Sequence, residues 1–185
     1  MLLPHTAYYF LARGLPGVIN FLAITIYTRL LAPEDYGQYA LALAAVGLLN
    51  FTFFQWIQHG LARFLPRYLD RPDVLLATLL AVFFIIVAVT AGMGGIAYWY
   101  APAGTWRTLI ALVVALTWAQ AWFDLNLQLM ASRLKPHRYG FLSATKATLA
   151  LGLGAMLVVL GLKAYGPMLG LLFGIVGSTL LLSWR

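Results

Sequence analysis

Apolar residues run along this chain in long, almost unbroken stretches, without the strict alternation of a half-buried strand. Val74 to Ala101 is 28 residues without a charge, and Ala164 to Trp184 adds 21 more. Each exceeds the roughly 20 residues that a helix needs to cross about 30 Å of hydrocarbon. Read against their charged and turn-forming borders, the runs predict six spanning helices, near 8–31, 36–60, 74–100, 106–132, 139–162 and 165–184. Strands of a membrane barrel would be shorter and polar at every second position. The predicted class is therefore an all-α integral membrane bundle, with residues 1–185 forming a single six-helix lobe.

The borders carry chemistry of their own. Between the first two runs stands RLLAPEDYG, residues 29–37. Pro33 suits the first turn of a helix, where its missing N–H would have had no partner anyway, and Glu34 and Asp35 sit well against the positive end of the new helix dipole. The segment reads as a helix start. It is echoed later in the chain: Leu31, Pro33, Tyr36 and Gly37 match Leu134, Pro136, Tyr139 and Gly140, so L-x-P-x-x-Y-G opens the second and the fifth span. Copies three spans apart lie on opposite membrane faces, the relation found in transporters built from inverted repeats.

Composition agrees, with 63% hydrophobic and only 9% charged residues, against about a quarter charged in a soluble domain. The net charge of +7 is no nucleic-acid footprint, because the basic residues sit between spans rather than clustered on a water-facing surface. With alternating spans, Arg63, Arg67, Arg71, Arg133, Lys135, Arg138 and Arg185 share one side, and Arg29, Arg107 and Lys163 the other. Lys and Arg in short loops stay in the cytoplasm, so the N-terminus is expected inside. Tyr98, Trp99, Tyr100 and Trp106 then make an aromatic belt at the outer interface. The first positive charge, Arg13, lies within the first apolar run, unlike the basic start of a cleavable signal peptide. The chain has no cysteine for disulfides or thiolate metal sites, and no phosphate-binding Gly-Lys-Ser/Thr loop. With its three histidines isolated and no Ser/His/Asp grouping, the expectation is a protein that is not an enzyme and needs no cofactor.

Polar residues inside the runs are the candidates for function. In span four Thr117, Gln120, Asp124 and Gln128 share one helical face. In span five Tyr139, Ser143 and Lys146 do the same. Asp124 and Lys146 are nearly equidistant from the intervening turn, and at 1.5 Å per residue both lie roughly 10 Å inside the boundary. An unpaired charge there costs at least about 2.5 kcal/mol, so the two are expected either to pair as a packing clamp or to line a hydrated cation or proton site. On span one Arg13, Pro16, Gly17, Asn20, Tyr27 and Thr28 share a face, and Pro16 with Gly17 is expected to weaken the helix. Arg13 either snorkels to the head groups or faces inward. Span two ends with Thr52, Gln55, His59 and Arg63 on one face, with His59 read as an interfacial hydrogen-bonding residue. Span three is featureless and reads as lipid-facing. Gly166, Gly170, Gly174 and Gly177 in span six have the small-residue spacing that lets a neighbouring helix approach closely.

Three stretches resemble one family. NFLAITIYTRLLAPEDYGQYALALAAVGLLNF, HGLARFLPRY and RLKPHRYGFLSATKATLALGLGAMLVVLGL look like the N-terminal half of the polysaccharide and O-antigen flippases, lipid-linked oligosaccharide translocases of the superfamily that includes the multidrug and toxin extruders. The resemblance implies one lobe of a two-lobed, twelve-to-fourteen-helix transporter in the bacterial inner membrane, pairing with a second lobe or with itself. It implies a polyprenyl-pyrophosphate-linked oligosaccharide as cargo for cell-surface polysaccharide, held by Arg13, Asn20, Gln55, Arg63, Gln120 and Lys146. Asp124 would couple transport to an ion gradient. Two other readings stand beside it: a lobe of a multidrug-type cation antiporter, and a polymerase or ligase of polysaccharide assembly. One buried acid against two buried bases favours an anionic cargo over the first. The short outer loops leave the second little room for catalytic side chains.

Overall fold

The computed structural model describes the backbone of residues 3–68, 71–132 and 136–183, and the side chains of residues 14–68, 71–132 and 137–181. Every regular element among them is helical: α1 (Leu3–Leu30), α2 (Pro33–Leu49), α3 (Gln55–Phe64), α4 (Pro72–Tyr100), α5 (Thr105–Ser132), α6 (Pro136–Leu157) and α7 (Tyr165–Ser183). A π turn at Asn50–Phe54 fuses α2 to α3, and a 3₁₀ turn at Leu65–Arg67 closes that long helix. A second π turn, Val158–Leu162, extends α6.

The prolines mark the starts as expected. α2 opens at Pro33 with Glu34 and Asp35 in its first turn, and the Tyr36 N–H donates to the Ala32 carbonyl at 2.9 Å. Pro136 opens α6 in the same way, and Pro72, which the sequence reading did not single out, opens α4 two residues before the expected start. Of the repeated motif, Leu134 and Lys135 lie outside the described residues. α1 runs through Pro16 as one helix, so the expected weakening there does not break it.

Four helices are long and apolar enough to cross a membrane: Pro33–Arg67, Pro72–Tyr100, Thr105–Ser132 and His137–Leu162. Gly14–Leu30 and Tyr165–Leu181 are apolar but shorter. This is an all-helical membrane protein by the length and composition of its helices, and its side chains are arranged to match: Phe21, Phe51 and Val159 are each at least 70% exposed. In water such surface would be costly, at about 25 cal/mol per Å² of apolar area. In hydrocarbon it is not.

The chain forms two compact units, Met1–Leu41 with Arg133–Arg185, and Ala42–Ser132. In the first, α6 packs along α7 and α1 packs on α6. The glycine stripe of α7 is what allows this. A Cβ at Gly170 would collide with the backbone of Gly154, and one at Gly174 would stand 2.8 Å from the backbone nitrogen of Ala150. Tyr27 closes the contact from α1: its ring is buried, its hydroxyl donates to the Ala150 carbonyl at 3.3 Å, and it meets Tyr39 edge-on with ring centroids 5.6 Å apart. Gly154, against the Tyr27 hydroxyl, also has no room for a side chain. Asn20 and Thr28, expected on the same face as Tyr27, are exposed. Among the described residues of α1, Ala23, Ile26 and Tyr27 gather with Leu31 against Leu151, Ala155 and Val158.

The second unit is built on bulk. Phe54, Ile57, Leu61 and Leu65 recur at helical spacing and form a core with Leu75 and Phe83 of α4 and Ala121 and Leu125 of α5. Phe83 meets Phe54 and Trp122 at centroid distances of 5.3 and 5.6 Å. α4 is less featureless than its sequence suggests. Thr90 is buried, donates back to the Ile86 carbonyl at 2.8 Å, and accepts the indole N–H of Trp118 at 3.0 Å. Its other face, with Phe84, Ile85, Val89 and Ile96, is exposed as expected of a lipid-facing helix.

Candidate functional site

The second unit gathers polar side chains along α5. Gln120 is placed four residues before Asp124, one turn away on the same face, and its Nε2 donates to Asp124 Oδ1 at 2.8 Å. Gln128 continues the column, donating to Ser132 Oγ at 3.4 Å. Thr117 stands at the other end, 1% exposed, its hydroxyl donating to the Val113 carbonyl at 2.7 Å. The stripe anticipated from residue spacing is thus real, and Thr117, Gln120 and Asp124 are buried or half-buried.

Across from Thr117 stands a residue that sequence reasoning passed over. Asn50 opens the π turn between α2 and α3. Its amide nitrogen donates to the Val46 carbonyl at 3.2 Å and to the Thr117 carbonyl at 3.3 Å, so one side chain ties two helices together. Turning the amide round would set its oxygen against those two carbonyls, so the hydrogen bonds fix the orientation. The oxygen, Oδ1, is buried and has no hydrogen-bond partner. Leaving a buried acceptor unmet costs about 1–3 kcal/mol, and π turns are frequent at functional sites. The one available signal was a lone asparagine in the middle of an otherwise apolar run, LALAAVGLLNFTFF.

The other expected site residues fall on several helices. Gln55 is half-buried at the start of α3, and Arg63 at its end is exposed, with its guanidinium over the Phe64 ring at 5.7 Å. His59 is exposed. Thr52 falls inside the π turn, where the regular periodicity that grouped it with Gln55, His59 and Arg63 is interrupted. Asn20, exposed on α1, and Lys146, half-buried on α6, belong to the first unit, whereas Asp124 belongs to the second. Arg13 lies on α1, and its side chain is outside the described residues. The aromatic group at the α4–α5 hairpin is exposed throughout: Tyr98, Trp99, Tyr100 and Trp106. Arg107 sits over Tyr98 at 5.5 Å and donates to the Ala101 carbonyl at 3.2 Å. Among the described residues no three His, Cys, Asp or Glu side chains gather as metal ligands would.

No protein-family model, characterised protein or solved structure matches this chain. The functional reading rests on the residues themselves.

Proposed function

We propose that this chain is a lobe of a membrane translocase that flips a polyprenyl-pyrophosphate-linked oligosaccharide outward for cell-surface polysaccharide synthesis, by alternating access in the bacterial inner membrane. The observation that carries this reading is the set of polar side chains Asn50, Thr117, Gln120 and Asp124, with Asn50 bonded to the Thr117 carbonyl and Gln120 to Asp124, within helices otherwise apolar enough to lie in lipid. Polar and ionisable groups are costly there and mark substrate or ion pathways when they occur. Support also comes from the resemblance of the Pro-x-x-Tyr-Gly segments to flippases, and from the π turn at Asn50–Phe54 that interrupts one of the long helices, as broken helices do around transporter sites. In this reading Arg13 and Lys146 attract the pyrophosphate, with the paired donors of a guanidinium suited to its oxygens. Asn20, Gln55, Arg63 and Gln120 offer hydrogen bonds to the head group, and Asp124 couples an ion. The partner is a second lobe or a second copy of the chain.

The test is reconstitution of the chain into lipid vesicles with a polyprenyl-pyrophosphate oligosaccharide, reading the sugar exposed to a membrane-impermeant glycosidase. We expect flipping by the wild type and a loss of at least about tenfold in Arg13→Gln, Lys146→Gln and Asp124→Asn, corresponding to about 1.4 kcal/mol of barrier. Flipping that is unchanged in all three variants, or absent from the wild type with and without its genomic neighbours, rejects the reading.

A further inference from the structure

The two ends of the second unit treat their arginines differently. At the α4–α5 hairpin Arg107 is engaged within the protein, over the Tyr98 ring and on the Ala101 carbonyl. At the other end of α4, where it follows α3, Arg63, Arg67 and Arg71 are all exposed. Among the described residues, the only hydrogen-bond, charge or ring partner of these three guanidiniums is the Phe64 ring, 5.7 Å from that of Arg63. The stretch from 63 to 73 also holds two acids. Asp73 stands in the first turn of α4, where the helix dipole favours it, and Asp70 lies outside the described residues. The backbone draws the arginines together: Arg67 closes the 3₁₀ turn, and the Arg71 N–H donates to the Tyr68 carbonyl at 3.1 Å.

Depth decides what could meet them. Asn50 is the midpoint of the helix Pro33–Arg67. With that midpoint at the bilayer centre and 1.5 Å per residue, Arg63 lies about 20 Å out, among the head groups, and Trp56 about 9 Å out, among the acyl chains. Trp56 is 52% exposed. Gly60, one turn further along the same side of α3, leaves a notch whose nearest wall is the Leu79 side chain, 3.8 Å from where a Cβ would stand. Arg63 lies three residues past Gly60 and so on adjoining surface. An apolar strip thus leads outward to a group of cations without protein counterions.

We infer that the corner between α3 and α4 binds one anionic glycerophospholipid of the surrounding leaflet, its phosphate and head group on Arg63, Arg67 and Arg71 and an acyl chain along Trp56 and the Gly60 notch. Guanidinium donors suit phosphate oxygens. A zwitterionic head group would bring its own ammonium among the guanidiniums, and a free anion would leave the strip unused. The inference goes beyond the transport reading and does not need it, because the lipid here is a bound component rather than the cargo.

Native mass spectrometry of the purified chain in neutral detergent tests this without flipping. Phosphatidylglycerol is titrated in, with phosphatidylcholine, inorganic phosphate and a polyprenyl pyrophosphate in parallel arms. We expect one phosphatidylglycerol retained per chain, with affinity lower by about thirtyfold in the Arg67→Gln, Arg71→Gln double variant, at about fivefold for each arginine near a lipid surface. Trp56→Ala should lower it by less. All three positions are exposed, so lipid-free Tm should hold, and Arg63 is left in place because it also belongs to the proposed cargo site. Equal retention of phosphatidylcholine, or affinity unchanged in both variants, overturns the site. Displacement of the lipid by inorganic phosphate overturns it in favour of a simple anion site, and displacement by the polyprenyl pyrophosphate in favour of the cargo.

Discussion

In the unit built from α1, α6 and α7 the helices meet backbone to backbone, through Gly154, Gly170 and Gly174, whereas in the unit of α3, α4 and α5 they meet through aromatic rings and shared hydrogen bonds. Lipid tails are as apolar as leucine, so neither unit gains much from burying hydrocarbon, and each relies on close packing or on polar contacts. Among the described residues the glycines at the crossing add no side-chain polar atom; Tyr27 reaches it with a hydroxyl, and the buried Ser178 hydroxyl of α7 is turned back to the Ile175 carbonyl. The asparagine and tryptophan contacts do introduce such atoms, and one of them, Asn50 Oδ1, is left over. The difference separates a part that can be held shut by shape from a part whose contacts have chemistry to spare.

The sharpest challenge to this contrast is Gly170→Leu. A side chain there must displace the Gly154 backbone, so we expect a loss of about 4 kcal/mol or more in a denaturant titration. Gly152→Leu, on the facing helix α6 but with nothing within 4 Å of an added Cβ, should be close to neutral. Equal costs at the two positions would remove the case for a shape-held crossing. In the second unit, Asn50→Ala strips the Val46 and Thr117 carbonyls of an amide donor and should cost about 1–3 kcal/mol. Trp118→Phe keeps the ring but deletes the N–H that reaches Thr90, with an expected cost of about 0.6–1.7 kcal/mol. A Thr90→Val and Trp118→Phe double-mutant cycle should show that the two losses are not additive. Smallest is Tyr27→Phe, about 0.6 kcal/mol by the same scale of hydrogen bonds in membranes. Were Tyr27→Phe to exceed Trp118→Phe, the hydroxyl on Ala150 would be a main support of the first unit, and the contrast would need redrawing.

Much of this was legible from residue order. Pro33 and Pro136 announced two helix starts because a proline costs least where no N–H is needed. The glycines of α7 announced a close crossing, and the spacing of Thr117, Gln120 and Asp124 gave the column of α5. The partner of a residue is another matter. Nothing local tells Tyr27 that it will be buried while Asn20, two turns earlier, stays exposed; that depends on where α6 meets α1. Trp118 and Thr90 are 28 residues apart, and no periodicity connects them. The π turns were invisible for a related reason. A helix takes in an extra residue when packing on both sides of it demands different phases, and each flank of LLNFTFFQW reads as ordinary helix by itself.

That extra residue has a reckoning of its own. An α-helix advances by about 100° per residue, so the widened turn at Asn50–Phe54 acts as a phase shifter between two halves of one rod. Rewinding it as regular α-helix, with no residue removed, would leave the chain just as apolar and just as helical. It would also swing Ile57, Leu61 and Leu65 away from α4 and α5 by more than a quarter of a circle. Hydropathy would register no change, yet the rod's lower half would present the wrong side to its neighbours.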